Sequence, residues 1–390
     1  MANKIIRTYD NFLDLLRYPQ ISAGILKKTN LFFFFQRWSI GGAERVQLDI
    51  LELFKNENPT CFITSKSPNT GFKKPYKALA NVINLNRWAE KNSYKAYMLK
   101  KVAVAINAAS QPVVFGSNSN FMYELIPLLN ERVKIVDLIH NFRDDKQSTE
   151  WYSLPYVHRI EARIVVSKTI VQQFKALYTQ NNISLNYLER LKVVHNKIPC
   201  NSSFPTKNYK DNLQVIFVSR NSEEKRVHVI IRIAELCHKL QLPLNFNLIG
   251  DFSALQTNST PNTQFAGEIK DVSLLNEYYK KSNLLLLTSK TESWGLVIFE
   301  GMSFGVVPIS TKVGELSDYI SDKNENGAIV NNIDDLEELA ILFVNELKKF
   351  CADRNKLKKF SENAFNTIAN LAKTSDFDER YKNVIFGRLD

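Results

Sequence analysis

The sequence predicts an α/β protein with two domains, each built on a parallel sheet. Short apolar runs alternate with amphipathic stretches along the chain, and one polar, proline-containing segment interrupts this alternation near the middle. The chain has 390 residues, of which 44% are hydrophobic and 23% are charged, so disordered and fibrous classes are excluded. Since a domain takes roughly 100–200 residues, two domains are expected.

The first half of the chain is a series of strand–helix units. Leu31–Phe35 is an apolar run of strand length, and the turn at 39–42 leads into an amphipathic helix that reaches Phe54. Further strands are predicted at 60–64, 82–85, 113–115, 133–139 and 164–166, and helices at 89–109 and 169–178. Alternation of this kind predicts βαβ units and hence parallel strands.

A polar segment at 198–212, which contains Pro199 and Pro205, is the expected linker. A second series follows, with strands predicted at 214–218, 244–249, 284–287 and 306–310 and helices at 229–240, 274–281, 296–304, 336–350 and 354–371. The predicted divisions are an amphipathic extension at 1–30, an N-terminal domain at 31–200, a C-terminal domain at 201–375 and a segment at 376–390 that returns toward the N-terminal domain. Two such Rossmann-like domains are expected to face each other across a ligand-binding cleft.

Charge and cysteine usage narrow the class of function. Residues 1–200 carry a net charge of +13 and the remainder −2, within a total of +11, so the first half is expected to attract anions. The alternative is a basic surface that only aids solubility. The four scattered cysteines argue against disulfides or a zinc knuckle and favour a reducing compartment. No apolar run has the roughly 18 residues of a membrane span, so a cytoplasmic protein is expected.

The segment from Thr291 to Glu300 is the densest candidate site. It follows the apolar run at 284–287 and begins a helix, with Ser293 as the expected cap. The helix start offers the free backbone N–H groups of Trp294, Gly295, Leu296 and Val297. These groups suit a phosphate, and the flanking Glu292 and Glu300 suit sugar hydroxyls on either side of a diphosphate. The alternative is a capping acid and a surface glutamate.

Two further clusters follow predicted strands. Arg220 and Lys225 lie after the first strand of the second domain, where they are expected to converge on a diphosphate. The alternative is a solvated turn whose charges pair with Glu223 and Glu224. His140 follows the strand at 133–139, where it suits a sugar contact or proton transfer; a hydrogen-bonded structural histidine is the alternative. The sequence lacks the P-loop, dinucleotide-binding and H-E-x-x-H patterns and recognisable nucleic-acid modules.

Together these segments resemble the retaining glycosyltransferases of family 4, which have the GT-B fold. The resemblance runs from about Asn30 to the C-terminus. Residues 41–45 look like the glycine-rich acceptor-side loop, 219–225 like the basic element, 292–300 match the Glu-x₇-Glu motif, and 326–330 resemble an Asn-Gly-x-x-Val signature. Arg226 departs from the pattern, because a glycine is usual there.

The resemblance implies roles for the matched residues. Glu292 would contact donor-sugar hydroxyls, Arg220 and Lys225 would neutralise the diphosphate, and His140 would face donor sugar and acceptor. The other implied donor-binding residues are Gly42, Gly250, Gly267, Ile269, Ser293, Trp294, Gly295, Leu296, Val297 and, on the ribose, Glu300. The implied acceptor-side residues are Gly41, Glu44, Arg45 and Arg143. The nucleotide-sugar is a co-substrate, and neither a metal nor another cofactor is expected.

Basic and aromatic residues alternate between Arg87 and Lys101 on a predicted helix. This pattern suits contact with anionic lipid headgroups, and the alternative is a solvated helix whose aromatics face the core. The sequence therefore predicts a retaining hexosyltransferase that uses a nucleotide-sugar, with UDP as the nucleotide, and a glycan or lipid-linked acceptor in surface-polysaccharide or lipopolysaccharide synthesis, at the inner face of the cytoplasmic membrane. A sugar-nucleotide epimerase and a non-catalytic scaffold are the rivals.

Overall fold

The structure, a computed structural model, describes residues 29–89, 92–258 and 260–387. The amphipathic pattern predicted before residue 29 lies outside the described residues. The described chain forms two compact units. Residues 29–166, 170–194 and 378–387 make up the N-terminal domain, and residues 167–169 and 195–377 make up the C-terminal domain.

The N-terminal domain contains a seven-stranded parallel sheet. Its strands are β1 (Leu31–Phe35), β2 (Thr60–Ile63), β3 (Asn81–Asn84), β4 (Val113–Ser117), β5 (Lys134–Ile139), β6 (Ala162–Val165) and β7 (Leu191–Val193). Their order in the sheet is β3-β2-β1-β4-β5-β6-β7. The order reverses between β1 and β4, so ligands are expected beyond the carboxyl ends of these two strands.

Helices connect these strands. They are α1 (Gly42–Phe54), α2 (Lys73–Leu79), α3 (Asn86–Ala89), α4 (Asn92–Ala108), α5 (Asn120–Leu125), α6 (Thr149–Tyr152) and α7 (Lys168–Gln180). All five residues of β1 are buried, and its phenylalanines pack on both neighbouring strands. The ring of Phe34 stacks on Phe62 at 4.7 Å, and Phe33 meets Phe115 edge-on at 5.3 Å. Burial on both faces explains why β1 is a continuous apolar run.

The C-terminal domain contains a six-stranded parallel sheet. Its strands are β8 (Leu213–Val218), β9 (Leu244–Ile249), β10 (Thr263–Gly267), β11 (Leu284–Leu287), β12 (Val307–Thr311) and β13 (Ala328–Val330), in the order β10-β9-β8-β11-β12-β13. The helices are α8 (Val227–Lys239), α9 (Val272–Lys281), α10 (Leu296–Ser303), α11 (Leu316–Tyr319), α12 (Leu336–Ala352) and α13 (Arg354–Lys373). Here the strand order reverses between β8 and β11.

The last helix, α14 (Phe377–Phe386), packs almost entirely on the N-terminal domain. The ring of Tyr381 lies 6.3 Å from that of Phe115, and Phe386 meets Phe54 edge-on at 5.4 Å. The Arg380 guanidinium donates to the Val193 carbonyl at 3.0 Å. Helix α14 therefore follows the C-terminal domain in the sequence but belongs to the core of the N-terminal domain.

Two parallel-sheet, Rossmann-like α/β domains confirm the predicted fold class. The long buried strands have the predicted bounds to within a residue or two, whereas the structure adds the short strands β7, β10 and β13. The predicted helix at 89–109 begins earlier and is two helices, α3 and α4, separated by residues outside the described chain. Strands of three to five partly exposed residues carry too weak an apolar signal to be predicted.

Candidate functional site

Lys225 and Glu292 form an ion pair at the carboxyl edge of the C-terminal sheet. Lys225 Nζ lies 2.5 Å from Glu292 Oε1, and the side chains are only 18% and 14% exposed. Ser289 Oγ donates to the same carboxylate oxygen at 2.9 Å. The lysine follows β8 and the glutamate follows β11; because these strands are neighbours, their loops meet. The structure therefore brings together two residues that the sequence placed in separate motifs.

Hydrogen bonds also join the backbones of these two loops. The Lys290 N–H donates to the Glu224 carbonyl at 2.7 Å. The hydroxyl of Thr288, which is fully buried, donates to the Lys225 carbonyl at 2.8 Å. Because two strand-end loops are fixed to each other on both sides of the ion pair, Lys225 and Glu292 are held in place before any ligand binds.

The two arginines near this pair have different environments. Arg220 is 80% exposed, and its guanidinium lies 3.9 Å from Glu224, so the alternative of a solvated turn describes Arg220 but not Lys225. Arg226 is buried and donates to Asn332 Oδ1 at 2.8 Å. Its φ of +50° is left-handed, which explains why glycine is usual at this position in the family that the motif resembles.

The N-terminus of α10 is formed by Gly295 and not, as predicted, by a Ser293 cap. Gly295 is the N-cap with a φ of +68°, and no side chain caps the helix. The Ile298 N–H bonds to the Gly295 carbonyl at 2.9 Å, which leaves the N–H groups of 295–297 at the helix end. The prediction of Ser293 as the N-cap was wrong, because the left-handed backbone of Gly295 sets the direction in which the chain enters the helix.

Trp294 is part of the core of this region. It is only 3% exposed, and its ring stacks on His195 at 4.3 Å and on Phe299 at 4.9 Å. These contacts fix the backbone just before α10. The indole therefore holds the backbone at the start of α10. The groups of this segment that suit an anion are its main-chain N–H groups and not the Trp294 side chain.

Glu300 lies in α10 and is partly buried. The hydroxyl of Tyr279 donates to Glu300 Oε2 at 3.2 Å. Tyr279 is buried, and burial holds the pKa of its phenol well above the ordinary value, so it stays a proton donor to this carboxylate. Glu300 is therefore an oriented carboxylate and not the solvated surface glutamate of the alternative.

Gly250 and Gly267 meet beside the end of β8. The Gly250 N–H donates to the Gly267 carbonyl at 3.0 Å. A Cβ at Gly250 would lie 2.1 Å from the Ser219 carbonyl oxygen, so the three loops after β8, β9 and β10 approach closely only because residue 250 has no side chain. Ile269 follows β10 and is half-buried.

Gly250→Ala is expected to destabilise the C-terminal domain more than Gly267→Ala. Both glycines have positive φ, +153° and +72°, but a Cβ at Gly267 meets nothing within 4 Å. Strain alone costs Gly267→Ala about 1–2 kcal/mol, whereas the clash with the Ser219 backbone adds about 1–3 kcal/mol at Gly250. Urea denaturation of both variants measures the difference, and equal midpoints would contradict the close packing of these loops.

In the N-terminal domain, the glycine-rich turn after β1 leads into α1. Gly41 is the N-cap in extended backbone, and Gly42 is the first helical residue. Ser39 Oγ donates to Glu44 Oε1 at 3.0 Å, so Glu44 is held by its own loop. Arg45 and Arg143 are both exposed. The structure places Gly41 to Arg45 at one helix start and leaves the two arginine side chains facing solvent.

His140 follows β5, is partly buried, and ends a hydrogen-bonded chain whose other members are buried. Its Nε2 lies 2.9 Å from Ser117 Oγ, which lies 3.0 Å from Gln47 Nε2. Burial lowers the pKa of His140 to about 4, so the imidazole is neutral at neutral pH. Sequence reasoning missed Ser117 and Gln47. The available signal was a glutamine within the apolar stripe of α1, beside Val46 and Ile50.

Across residues 29–89, 92–258 and 260–387, no three His, Cys, Asp or Glu side chains form a group able to hold a metal ion. None of the helices in this part of the chain is long and apolar enough to cross a membrane.

Parts of the chain are similar to known proteins. Residues 201–367 match the family model described as glycosyl transferases group 1. An uncharacterized 41.2 kDa protein of the Klebsiella pneumoniae cps region is 27% identical over 197 residues, which cover 48% of this chain and 52% of that protein. An uncharacterized glycosyltransferase of Methanocaldococcus jannaschii is also 27% identical over 197 residues, 47% of this chain and 53% of that protein. The chain spans about half the length of these relatives.

Solved structures match over most of the chain. HepE of Anabaena, crystallised with UDP and glucose, has a TM-score of 0.67 at 16% identity and covers 91% of this chain and 98% of its own. WaaB, a lipopolysaccharide outer core galactosyltransferase, has a TM-score of 0.67 at 17% identity, with coverage of 92% and 99%. At this identity the likeness shows the fold, which is the predicted GT-B class.

Proposed function

We propose that the protein is a retaining, metal-independent glycosyltransferase, because residues 201–367 match the family model described as glycosyl transferases group 1. It transfers a hexose from a UDP-sugar to a glycan or lipid-linked acceptor. The observation that carries the proposal is the Lys225–Glu292 pair, fixed beside the α10 N-terminus at the point where the strand order reverses. Anionic ligands and sugar hydroxyls both find partners there.

The pair can serve both parts of a nucleotide-sugar. A lysine ammonium has three N–H donors, so Lys225 can hold Glu292 with one and phosphate oxygens with the others. The Glu292 carboxylate accepts hydrogen bonds from sugar hydroxyls. Arg220 is exposed and free to swing toward the diphosphate, where a guanidinium binds two oxygens at once. Glu300, oriented by Tyr279, is the proposed partner of the ribose hydroxyls.

In the proposed reaction the acceptor hydroxyl attacks the anomeric carbon from the face that the diphosphate leaves. The bond between that carbon and the diphosphate oxygen breaks, the bond to the acceptor oxygen forms, and the acceptor proton passes to the departing phosphate. No protein nucleophile takes part. Lys225 and Arg220 stabilise the charge that develops on the leaving group, which is electrostatic catalysis by positioned cations.

The relatives support the choice of donor and acceptor class. HepE was crystallised with UDP and glucose, WaaB is a lipopolysaccharide outer core galactosyltransferase, and the Klebsiella relative is a protein of a cps region. We therefore assign this protein a UDP-sugar donor and a role in surface-polysaccharide or lipopolysaccharide synthesis. The acceptor is assigned to the N-terminal domain, with Gly41, Glu44, Arg45 and Arg143 on its side.

Helix α4 supports a contact with anionic lipid, and the location proposed is the cytoplasmic face of the membrane. Tyr94, Tyr97, Lys101 and Val104 are exposed at helical spacing, and Lys101 Nζ lies 5.6 Å from the Tyr97 ring centre. Such a face suits headgroups. Sedimentation with phosphatidylglycerol vesicles at low salt is expected to carry the protein down. If the double variant Tyr97→Ser, Lys101→Ser sediments with the vesicles as the wild type does, α4 is not the membrane contact.

A thermal-shift panel of UDP, GDP, ADP and their sugar conjugates, with and without EDTA, tests the donor. A ligand at 100 times its Kd stabilises the protein by about 2.7 kcal/mol. UDP and one UDP-sugar are expected to raise Tm equally in both buffers. A shift that EDTA abolishes would contradict metal independence, and no shift from any nucleotide would favour a scaffold. Free sugar released without an acceptor would indicate an epimerase.

A further inference from the structure

A chain of hydrogen bonds crosses the interior of the N-terminal domain and ends at His140. Tyr76 Oη lies 2.7 Å from Gln47 Oε1, Gln47 Nε2 lies 3.0 Å from Ser117 Oγ, and Ser117 Oγ lies 2.9 Å from His140 Nε2. Tyr76, Gln47 and Ser117 are at most 1% exposed. A buried polar chain of this kind holds its hydrogen atoms in one arrangement, because every unpaired member costs free energy.

The distances give the direction of the chain. A separation of 2.7 Å is typical of an O–H···O bond and 3.0 Å of an N–H···O bond. Gln47 therefore presents its oxygen to Tyr76 and its NH₂ group to Ser117. With the amide reversed, the tyrosine proton would have to go to the Glu44 carbonyl, which is farther away at 3.2 Å. The tyrosine donates to the glutamine, and the glutamine donates to the serine.

The Ser117 hydroxyl in turn determines which partner donates in its hydrogen bond with His140. Gln47 Nε2 can only donate, so the Ser117 hydroxyl accepts from it and keeps its own proton. Among the described residues, the acceptor within reach of that proton is His140 Nε2. We propose that Tyr76, Gln47 and Ser117 fix His140 as the Nδ1–H tautomer, so that the ring offers an N–H donor to a sugar oxygen and does not act as a base. Tyr76, Gln47 and Ser117 are positioning residues.

This inference rests on the proposed function only for the identity of the ligand oxygen. A neutral imidazole with Nδ1 protonated and Nε2 occupied by the serine proton has no lone pair left to take the acceptor proton. The lowered pKa of His140 keeps the ring in this neutral state at neutral pH. His140 could contact a sugar or take up a proton, and the chain of hydrogen bonds leaves only the sugar contact. This agrees with the proposed reaction, in which the departing phosphate takes the acceptor proton.

The tautomer is measured directly by long-range ¹H–¹⁵N NMR of histidine-labelled protein at pH 7.5 without ligand. His140→Gln identifies the His140 signals among the five histidines. The wild type is expected to show Nδ1 with the shift of a protonated nitrogen and Nε2 with that of an unprotonated one. A protonated Nε2 in the wild type overturns the proposal.

Three variants, two at Ser117 and one at Gln47, test the chain of hydrogen bonds itself. Ser117→Ala removes the donor, so both tautomers are expected to be populated, whereas Ser117→Thr keeps the hydroxyl and the Nδ1–H form. In Gln47→Glu an ionised carboxylate can only accept; Ser117 must then donate to it and accept from the ring, which is expected to become Nε2–H. A tautomer unchanged in both Ser117→Ala and Gln47→Glu overturns the proposal. Since no sugar is present, these results are independent of whether the UDP panel succeeds.

Discussion

Glu292→Gln is expected to lower the rate of sugar transfer from a UDP-sugar by about 10²–10³-fold, the loss typical when one positioned electrostatic partner is removed. The amide keeps the shape of the side chain but loses the negative charge that Lys225 holds at 2.5 Å. It then binds sugar hydroxyls more weakly and leaves the lysine without its counter-charge. The decrease should appear in kcat more than in KM, because the lost interaction strengthens as the sugar departs.

The same substitution is also expected to affect stability. Because both side chains of the pair are more than four-fifths buried, breaking it leaves a poorly solvated ammonium and costs about 1–3 kcal/mol. From the sequence alone, with the two residues in separate motifs, no loss of stability would be expected. Lys225→Met should lose a similar amount of stability, because it leaves the partly buried Glu292 carboxylate without its counter-charge. Transfer assays and urea denaturation of each variant measure the two effects.

Glu277→Gln provides the matched control. Glu277 also pairs with a lysine, Lys280, at 2.7 Å, but this pair lies exposed on α9. The lysine lowers the pKa of that carboxyl, mainly through the hydrogen bond. The control variant should keep wild-type transfer and the wild-type denaturation midpoint. Full transfer activity in Glu292→Gln would remove Glu292 from the proposed site.

Asp137→Asn is expected to destabilise the N-terminal domain by about 3–5 kcal/mol, the cost of breaking a buried ion pair by removing one partner. Asp137 and Arg163 lie on the neighbouring strands β5 and β6 and are 0% and 1% exposed. Arg163 Nε and Nη2 donate to the carboxylate at 3.0 and 2.7 Å, and Tyr123 Oη donates at 2.7 Å. The asparagine leaves the guanidinium charged and buried.

Within the described residues, the other direct partners of Arg163 are neutral: Tyr178 Oη at 3.2 Å, Ser153 Oγ at 2.8 Å and the ring of Phe174 at 4.6 Å. Urea denaturation followed by circular dichroism measures the loss. Glu131→Gln is the control, because Glu131 pairs with Arg159 while 89% exposed and its midpoint should not move. A midpoint for Asp137→Asn equal to the control's would show that the buried pair adds no stability.

The sequence by itself determined the features that depend only on residues close together in the chain, such as the bounds of strands and helices. Leu31–Phe35 and Leu284–Leu287 are apolar throughout because both faces of these strands are buried, so their bounds could be predicted without a partner. The amphipathic helix α8 follows in the same way from periodicity. The eight-residue interval from Glu292 to Glu300 likewise places one carboxylate before a helix and the other inside it, whatever the rest of the chain does.

The tertiary structure alone decided which side chains meet. Lys225 lies 67 residues from Glu292, and Gln47 lies 70 from Ser117, so each contact depends on the order of strands in a sheet. Strand order is set by packing between distant segments, and a local pattern does not encode it. For this reason the sequence predicted the types of residue at the proposed site, and only the fold showed that Lys225 is paired with Glu292 and that His140 lies within hydrogen-bond distance of Ser117.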